Sequence, residues 1–257
     1  MGFFRLSTAA LAVLLIAVLA GSVAIGVLVG RAVRDRPGTR HETAGVVQGA
    51  LLGLVGLLLA FGLSMAVGGY ESRRALVVQE ANDIGTTYLR AQLLAQPERS
   101  ESLGLLEHYT DAAIDVADAV PDTAGYRTAV ANLEGLQGEL WTLAGDAVDA
   151  DPVGTGPRLY VETLNDMFDT HTSRVASLGN RVPTPVMVLL VFGSAVAVGA
   201  LAFDLTLLGR GLATSLITAA VVLIILFVSF DLDRPRRGFI EVPDTPLMQL
   251  RESFDQP

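Results

Sequence analysis

The chain of 257 residues is 51% apolar, has a mean hydropathy of +0.49 and carries a formal net charge of −9 at pH 7. This apolar fraction is too high for most soluble domains, and the acidic balance argues against nucleic acid as a partner. Cysteine is absent, which excludes disulfides, thiolate nucleophiles and zinc–thiolate sites.

The first predicted element is a membrane-spanning helix in the uncharged run Thr8–Gly30. Arg5 and the apolar stretch after it also fit a secretory signal, but the apolar region of a signal covers only about 7 to 15 residues. Because this run continues to Arg31, we interpret it as a span. Residues 1–45 then comprise the first transmembrane helix and a basic loop.

Three further apolar runs are long enough for a helix to cross the hydrocarbon layer. They are Val46–Gly69, in which Gln48 is the one strongly polar interruption, and the uncharged runs Val186–Phe203 and Gly211–Phe230. We therefore predict four transmembrane helices, with the second at 46–69, the third and fourth within 183–230, and a C-terminal tail at 231–257.

The charged middle domain, residues 70–182, is predicted to form four amphipathic helices that close a bundle. Apolar side chains recur there at intervals of three and four residues. The four stripes are Val77, Ala81, Ile84, Tyr88 and Ala91; Leu106, Tyr109, Ala113, Val116 and Val120; Tyr126, Val130, Leu133, Leu140 and Ala144; and Val161, Leu164, Phe168, His171, Val175 and Leu178. No proline lies between Ala66 and Leu94 and Gly68-Gly69 is the one glycine pair there, so one long helix is predicted to continue from the second span.

The middle domain is strongly acidic between Glu98 and Asp151, with twelve acidic residues against two arginines. The simpler interpretation is the solvated surface of a bundle. The alternative is an acidic vestibule that concentrates cations near a pore.

Arginines near the span ends predict the orientation, because cytoplasmic loops carry an excess of basic residues. If the N-terminus is cytoplasmic, eight of these arginines lie inside and five outside. We therefore predict a multi-pass protein of the plasma membrane whose termini and middle domain are cytoplasmic. The inside set is Arg5, Arg73, Arg74, Arg174, Arg181, Arg234, Arg236 and Arg237, and the outside set is Arg31, Arg34, Arg36, Arg40 and Arg210.

The sequence contains no constellation typical of catalysis or metal binding, since His41, His108 and His171 are scattered without ligand spacing. We predict no enzymatic activity, no metal and no cofactor. His171 lies on an apolar stripe and is interpreted as a core histidine rather than a ligand or a pH sensor.

Small side chains recur along the second span at Gly49, Gly53, Gly56, Ala60 and Ser64. In a membrane such a stripe usually allows close packing of helices. The alternative is that this helix face, repeated around a symmetry axis, lines a conduction path with an apolar constriction. On that hypothesis Gly53, Leu57, Phe61 and Ser64 line the pore, and Leu57 and Phe61 form the constriction.

Aromatic and basic residues follow the second and fourth spans and are predicted to be membrane-junction residues. They are Tyr70, Arg73 and Arg74 after the second span, and Arg234, Arg236 and Arg237 after the fourth. The arginines are expected to contact lipid headgroups, and Arg73 and Arg74 to pair with acidic residues of their own or a neighbouring subunit. Asp231 and Asp233 are expected to cap the end of the fourth span or to contact the bundle.

Two runs of sequence resemble the bacterial bestrophin-like domain family. They are Leu58–Arg90, LLAFGLSMAVGGYESRRALVVQEANDIGTTYLR, and Phe230–Val242, FDLDRPRRGFIEV. The resemblance covers the chain from about Val46 to Phe254.

That family is similar in organisation to the bestrophins, which are pentameric ion channels with four membrane helices and a helical cytoplasmic domain inserted after the second. The resemblance implies an all-α homo-oligomer, a pentamer surrounded by membrane lipids, that conducts small inorganic ions. In bestrophins the second helix supplies an apolar neck with an aromatic and arginine-rich continuation. Phe61, Tyr70, Arg73 and Arg74 occupy the corresponding positions.

Two bestrophin features are missing from this sequence. The tryptophan pair near the junction is absent, since Trp141 is the one tryptophan, and the acidic clasp for calcium is not recognisable although Asp231 and Asp233 lie close by. Calcium gating is therefore not expected. Bestrophins include both anion and cation channels; the acidic middle domain favours cations here, whereas the arginines of the Arg31–Arg40 loop favour anions.

A competing hypothesis is a membrane-anchored sensor or scaffold, because a helical bundle between two spans also resembles the ligand-binding or partner-binding module of a receptor. This hypothesis gains weight if the bundle lies outside the cell. The orientation of the middle domain therefore separates the two functions.

Overall fold

The computed structural model describes residues 7–34, 42–209, 212–236 and 238–255, and within these ranges every regular element is an α-helix. The prediction of an all-α fold is confirmed. The helices are α1 (Thr8–Arg34), α2 (Glu42–Ala91), α3 (Glu98–Asp118), α4 (Ala124–Ala150), α5 (Thr155–Ser177), α6 (Thr184–Leu207), α7 (Leu212–Leu232) and α8 (Thr245–Phe254).

The chain divides into two compact units. The first unit, here called the membrane unit, comprises Met1–Gly69 and Arg181–Ile240, and the second, the bundle unit, comprises Tyr70–Asn180 and Glu241–Pro257. Among the described residues, four helices are long and apolar enough to cross a membrane: α1, α2 from Val47 onward, α6 and α7. The fold is that of a multi-pass membrane protein.

Within the membrane unit, α1 packs closely against α6. Ser22 donates its hydroxyl hydrogen to the carbonyl oxygen of Ala195, and a Cβ on Gly30 would lie 2.9 Å from the Cβ of Thr206. Gly26 and Gly199 meet at the same interface, where neither has room for a side chain. Small residues and interhelical hydrogen bonds are the usual means by which helices associate in lipid, so α1 is an integral part of this unit.

The membrane part of α2 packs against α6 through one narrow face. The Gln48 side-chain amide donates to the carbonyl oxygen of Ala197 at 3.3 Å, which satisfies the polar group that interrupts this span. About two and four turns further on, Val55 approaches Gly193, and Gly62 lies against the side chain of Leu190. This buried face of α2 comprises Gln48, Val55, Leu59, Gly62 and Ala66.

The residues of the four predicted stripes are buried or half-buried in the bundle unit. Ile84 of α2, Leu106 of α3, Leu133 of α4 and Leu164 of α5 are fully buried in one continuous apolar core. The four-helix prediction for the middle domain is thus confirmed. The break between α3 and α4 is stabilised locally, because the Thr123 hydroxyl accepts the backbone N–H of Tyr126 and caps α4.

The tail contributes a fifth helix, α8, to the bundle unit. Leu247 is fully buried in the bundle core, and the ring of Phe254 stacks on Tyr88 of α2 with 4.1 Å between centroids. Arg251 forms an ion pair with Asp111 of α3 at 2.9 Å. The end of the chain is thus packed against the bundle by apolar, aromatic and charged contacts.

Candidate ion path and membrane junction

The four predicted pore-lining residues all lie on the exposed face of α2. The side chains of Leu57 and Phe61 are 54% and 61% exposed, and Gly53 and Ser64 are exposed beside them. With about 100° between successive residues of a helix, this face is roughly opposite the one that packs against α6. The geometry therefore leaves these positions available to line a path or to contact another subunit.

The small-residue stripe of α2 makes no close helix contact within the chain. If Gly49, Gly53 or Gly56 carried a Cβ atom, no atom of another helix among the described residues would lie within 4 Å of it. Close packing through small residues occurs instead between α1 and α6, at Gly26 and Gly199. Within one subunit, the stripe of α2 is therefore not explained by helix packing.

The exposed face of α2 continues past the membrane part and there carries a residue that the sequence interpretation overlooked. Gly68 and Glu71 follow Ser64 at four and seven residues, so the three share one side of an unbroken helix. Glu71 is exposed, and its side chain pairs at 3.9 Å with Arg74, which is also exposed. The interval of seven residues from Ser64 was the signal that could have identified it.

The predicted junction residues after the second span differ in their surroundings. Arg74 is exposed, as a residue at the headgroups would be, and Tyr70 is half-buried. Arg73 is only 3% exposed, and its guanidinium donates to the backbone carbonyl oxygen of Asn180 at 3.4 Å. This placement differs from the expected contact of Arg73 with lipid headgroups, and the junction role of the set stays a prediction.

The junction residues after the fourth span lie in a compact turn. Arg234 is 2% exposed, and its backbone N–H donates to the carbonyl oxygen of Asp231. Arg236 is half-buried and has a left-handed backbone, with φ of 58°. Arg237 lies outside the described residues. Arg234 is therefore placed inside the protein rather than at its surface.

The two aspartates at the end of α7 organise this turn. Both oxygens of the Asp231 carboxylate accept the backbone N–H of Phe239, at 2.8 and 3.0 Å, and one also accepts that of Ile240 at 2.9 Å. A Cβ on Gly238 would lie 2.8 Å from the same carboxylate, which explains the glycine. Asp233 accepts the N–H of Val182 at 3.0 Å and so links the end of α7 to the segment before α6.

The comparisons with known proteins agree with this architecture. A family model described as the bestrophin-like domain matches residues 4–247. The chain belongs to the bestrophin-like domain family. The comparison with curated proteins finds no match.

A solved structure supports the same fold for this bestrophin-like chain. The structure of this chain is similar to the crystal structure of a bacterial bestrophin homologue from Klebsiella pneumoniae, with a TM-score of 0.70 and 13% sequence identity. The match covers 92% of this chain and 97% of the homologue. At this identity the likeness establishes a common fold and nothing finer.

The acidic residues of the bestrophin-like bundle are distributed over its surface. Of the twelve between Glu98 and Asp151, ten are exposed and two are half-buried. None of these twelve side chains is buried in the described chain, which favours the interpretation as a solvated surface. A contribution to a vestibule would have to come from several subunits together.

No group of three or more histidine, cysteine, aspartate or glutamate residues that could hold a metal occurs among the described residues of this bestrophin-like chain. His108 is exposed on α3, and His41 lies outside the described residues. His171 is buried in the bundle, as the sequence predicts for a core histidine. Bestrophin-like family membership and fold suggest an ion channel in general.

His171 belongs to a buried charged cluster that the sequence interpretation did not identify. Glu80 of α2 is fully buried, and its carboxylate contacts the Nδ1 of His171 at 2.8 Å and the guanidinium of Arg174. Arg174 also donates to the carbonyl oxygen of Ala113 on α3 at 3.1 Å. Burial, followed by the negative charge of Glu80, raises the pKa of the neighbouring Tyr109, so this phenol stays neutral.

Proposed function

We propose that this protein is an oligomeric ion channel in which α2 of each subunit contributes one face to a shared path for small monovalent ions. The observation that carries the proposal is the exposed face of Gly53, Leu57, Phe61 and Ser64, opposite the face of α2 that packs within the chain. Membership of the bestrophin-like family and the fold support a channel in general.

Leu57 and Phe61 form the constriction of this path. Large apolar side chains around a narrow bore exclude water, and ions cannot pass where water is absent. Gly53 and Ser64 lie a turn to either side of this pair, where the absence of a side chain on Gly53 and the small side chain of Ser64 leave the bore wider. The channel therefore conducts passively and without a cofactor.

The assembly is a homo-oligomer, a pentamer by analogy with bestrophins, with its apolar outer surface in contact with lipid. The large exposed apolar residues of α1, α6 and α7 provide such a surface; Ile25, Phe192 and Ile217 are each more than 60% exposed. The balance of arginines supports a plasma membrane orientation with the termini and bundle in the cytoplasm.

Purified protein reconstituted in liposomes tests the proposal. We expect flux of small monovalent ions down a concentration gradient, and a pentameric ring in images of the same preparation. A monomeric particle would contradict the shared path. An intact ring without flux under any gradient or pH would contradict conduction and would favour the sensor hypothesis.

A further inference from the structure

Glu71 stands out because of its place on the exposed face of α2. After Gly53 this face continues through positions 57, 61, 64, 68, 71, 75, 78, 82, 86 and 89, which are all exposed and lie on one unbroken helix. In this described stretch the face carries one charged side chain, Glu71. Its neighbours on the face, Gly68 and Ala75, are small and uncharged.

Arg74 does not cancel this charge on the face itself. The pair is separated by 3.9 Å and both side chains are more than half exposed, a geometry that contributes little binding energy. Three residues rotate a helix by about 300°, so Arg74 points about 60° to one side of Glu71. Seven residues rotate it by about 700°, so Glu71 points within about 20° of Ser64.

We propose that Glu71 is the specificity-determining residue of the α2 path and selects cations. The inference rests on the proposed function, in which the face of Gly53, Leu57, Phe61 and Ser64 surrounds a symmetry axis. Repetition of the subunit then turns one glutamate into a ring of carboxylates two residues beyond the membrane unit, on a wall that is otherwise uncharged. Rings of acidic side chains are the common basis of cation selectivity.

The acidic residues of α3 and α4 act differently. They are spread over the bundle surface, and exposed charges more than about 8 Å apart are largely screened at physiological salt. A carboxylate about 4 Å from a passing ion in water changes the local concentration of that ion about fivefold. A glutamate on the path itself therefore determines the sign of the permeant ion, whereas the surface acids contribute a weak bias.

The test is the ratio of potassium to chloride permeability, obtained from the reversal potential of reconstituted protein in a potassium chloride gradient. We expect the ratio to fall by about fivefold or more in Glu71→Gln, and to be retained in Glu71→Asp, which keeps the charge. Arg74→Gln should raise the ratio, because it removes the opposing charge beside Glu71. The matched control is Glu139→Gln, which removes an exposed acid from α4 and should leave the ratio unchanged.

Three results would overturn the assignment. The first is a wild-type protein that selects chloride. The second is an equal fall of the potassium-to-chloride permeability ratio in the Glu71→Gln and Glu139→Gln variants, which would assign selectivity to the general surface charge. The third is an unchanged ratio in Glu71→Gln when the oligomer is intact and the wild type conducts, which leaves the channel but removes the role of Glu71. A wild type without flux would instead overturn the channel itself, and the inference with it.

Discussion

Replacing Phe61 with alanine should raise ion flux about tenfold, which corresponds to lowering the barrier by about 1.4 kcal/mol. Phe61 is the largest side chain on the proposed path face of α2, and 61% of its surface is exposed in the single chain. Removing the ring from every subunit widens the constriction, and a wider apolar bore stays hydrated. Liposome flux measures the effect, and Leu57→Ala should act in the same direction.

Phe192→Ala is the matched control for this experiment. Phe192 lies on α6 and is 66% exposed, so the substitution is chemically identical and removes a similarly exposed ring from a different helix. We expect it to leave flux unchanged. If Phe61→Ala and Leu57→Ala behave like Phe192→Ala while the oligomer stays intact, the constriction is not formed by these residues.

The helices of the bundle could be predicted from the sequence because their apolar periodicity directly reflects burial. Leu106, Tyr109 and Ala113 recur at helical spacing, and all three are buried in α3. The helix α8 could not be predicted in this way. It has ten residues and one buried apolar side chain, Leu247, and it is held by tertiary contacts such as Phe254 on Tyr88.

The surroundings of individual residues at the site could not be deduced from spacing alone. The sequence places Arg73 and Arg74 together after the second span, but successive residues of a helix point about 100° apart. One is therefore buried against the Asn180 carbonyl group while the other is exposed. The spacing of small residues also does not reveal which helix packs against them.

The position of Glu80 in the sequence indicates that it is buried, although a search for apolar periodicity alone does not identify it. Glu80 lies three residues after Val77 and four before Ile84, on the buried side of α2. An acidic residue at such a position requires a buried counter-charge. His171 and Arg174, three residues apart on one face of α5, supply the partners, and this pairing becomes visible only once α2 and α5 are placed side by side.

Replacing Arg174 with methionine should lower the free energy of unfolding by about 3 to 5 kcal/mol, because it leaves the carboxylate of Glu80 buried without its guanidinium partner. Arg174 and Glu80 are 5% and 0% exposed, so solvent cannot compensate. Thermal unfolding of the purified protein should show a Tm lower by roughly 10 °C.

Two further variants separate the buried charge from the loss of an arginine in general. Arg90→Met removes a half-exposed pair with Glu162 at 3.5 Å and a hydrogen bond to the Leu159 carbonyl oxygen at 3.0 Å, and should cost about 1 kcal/mol. Combining Arg174→Met with Glu80→Gln removes both charges and should recover part of the lost stability, since the penalty arises from a buried carboxylate that has lost its guanidinium partner. Equal destabilisation by Arg90→Met and Arg174→Met, or no recovery in the double variant, would show that the cluster does not stabilise the bundle through its buried charges.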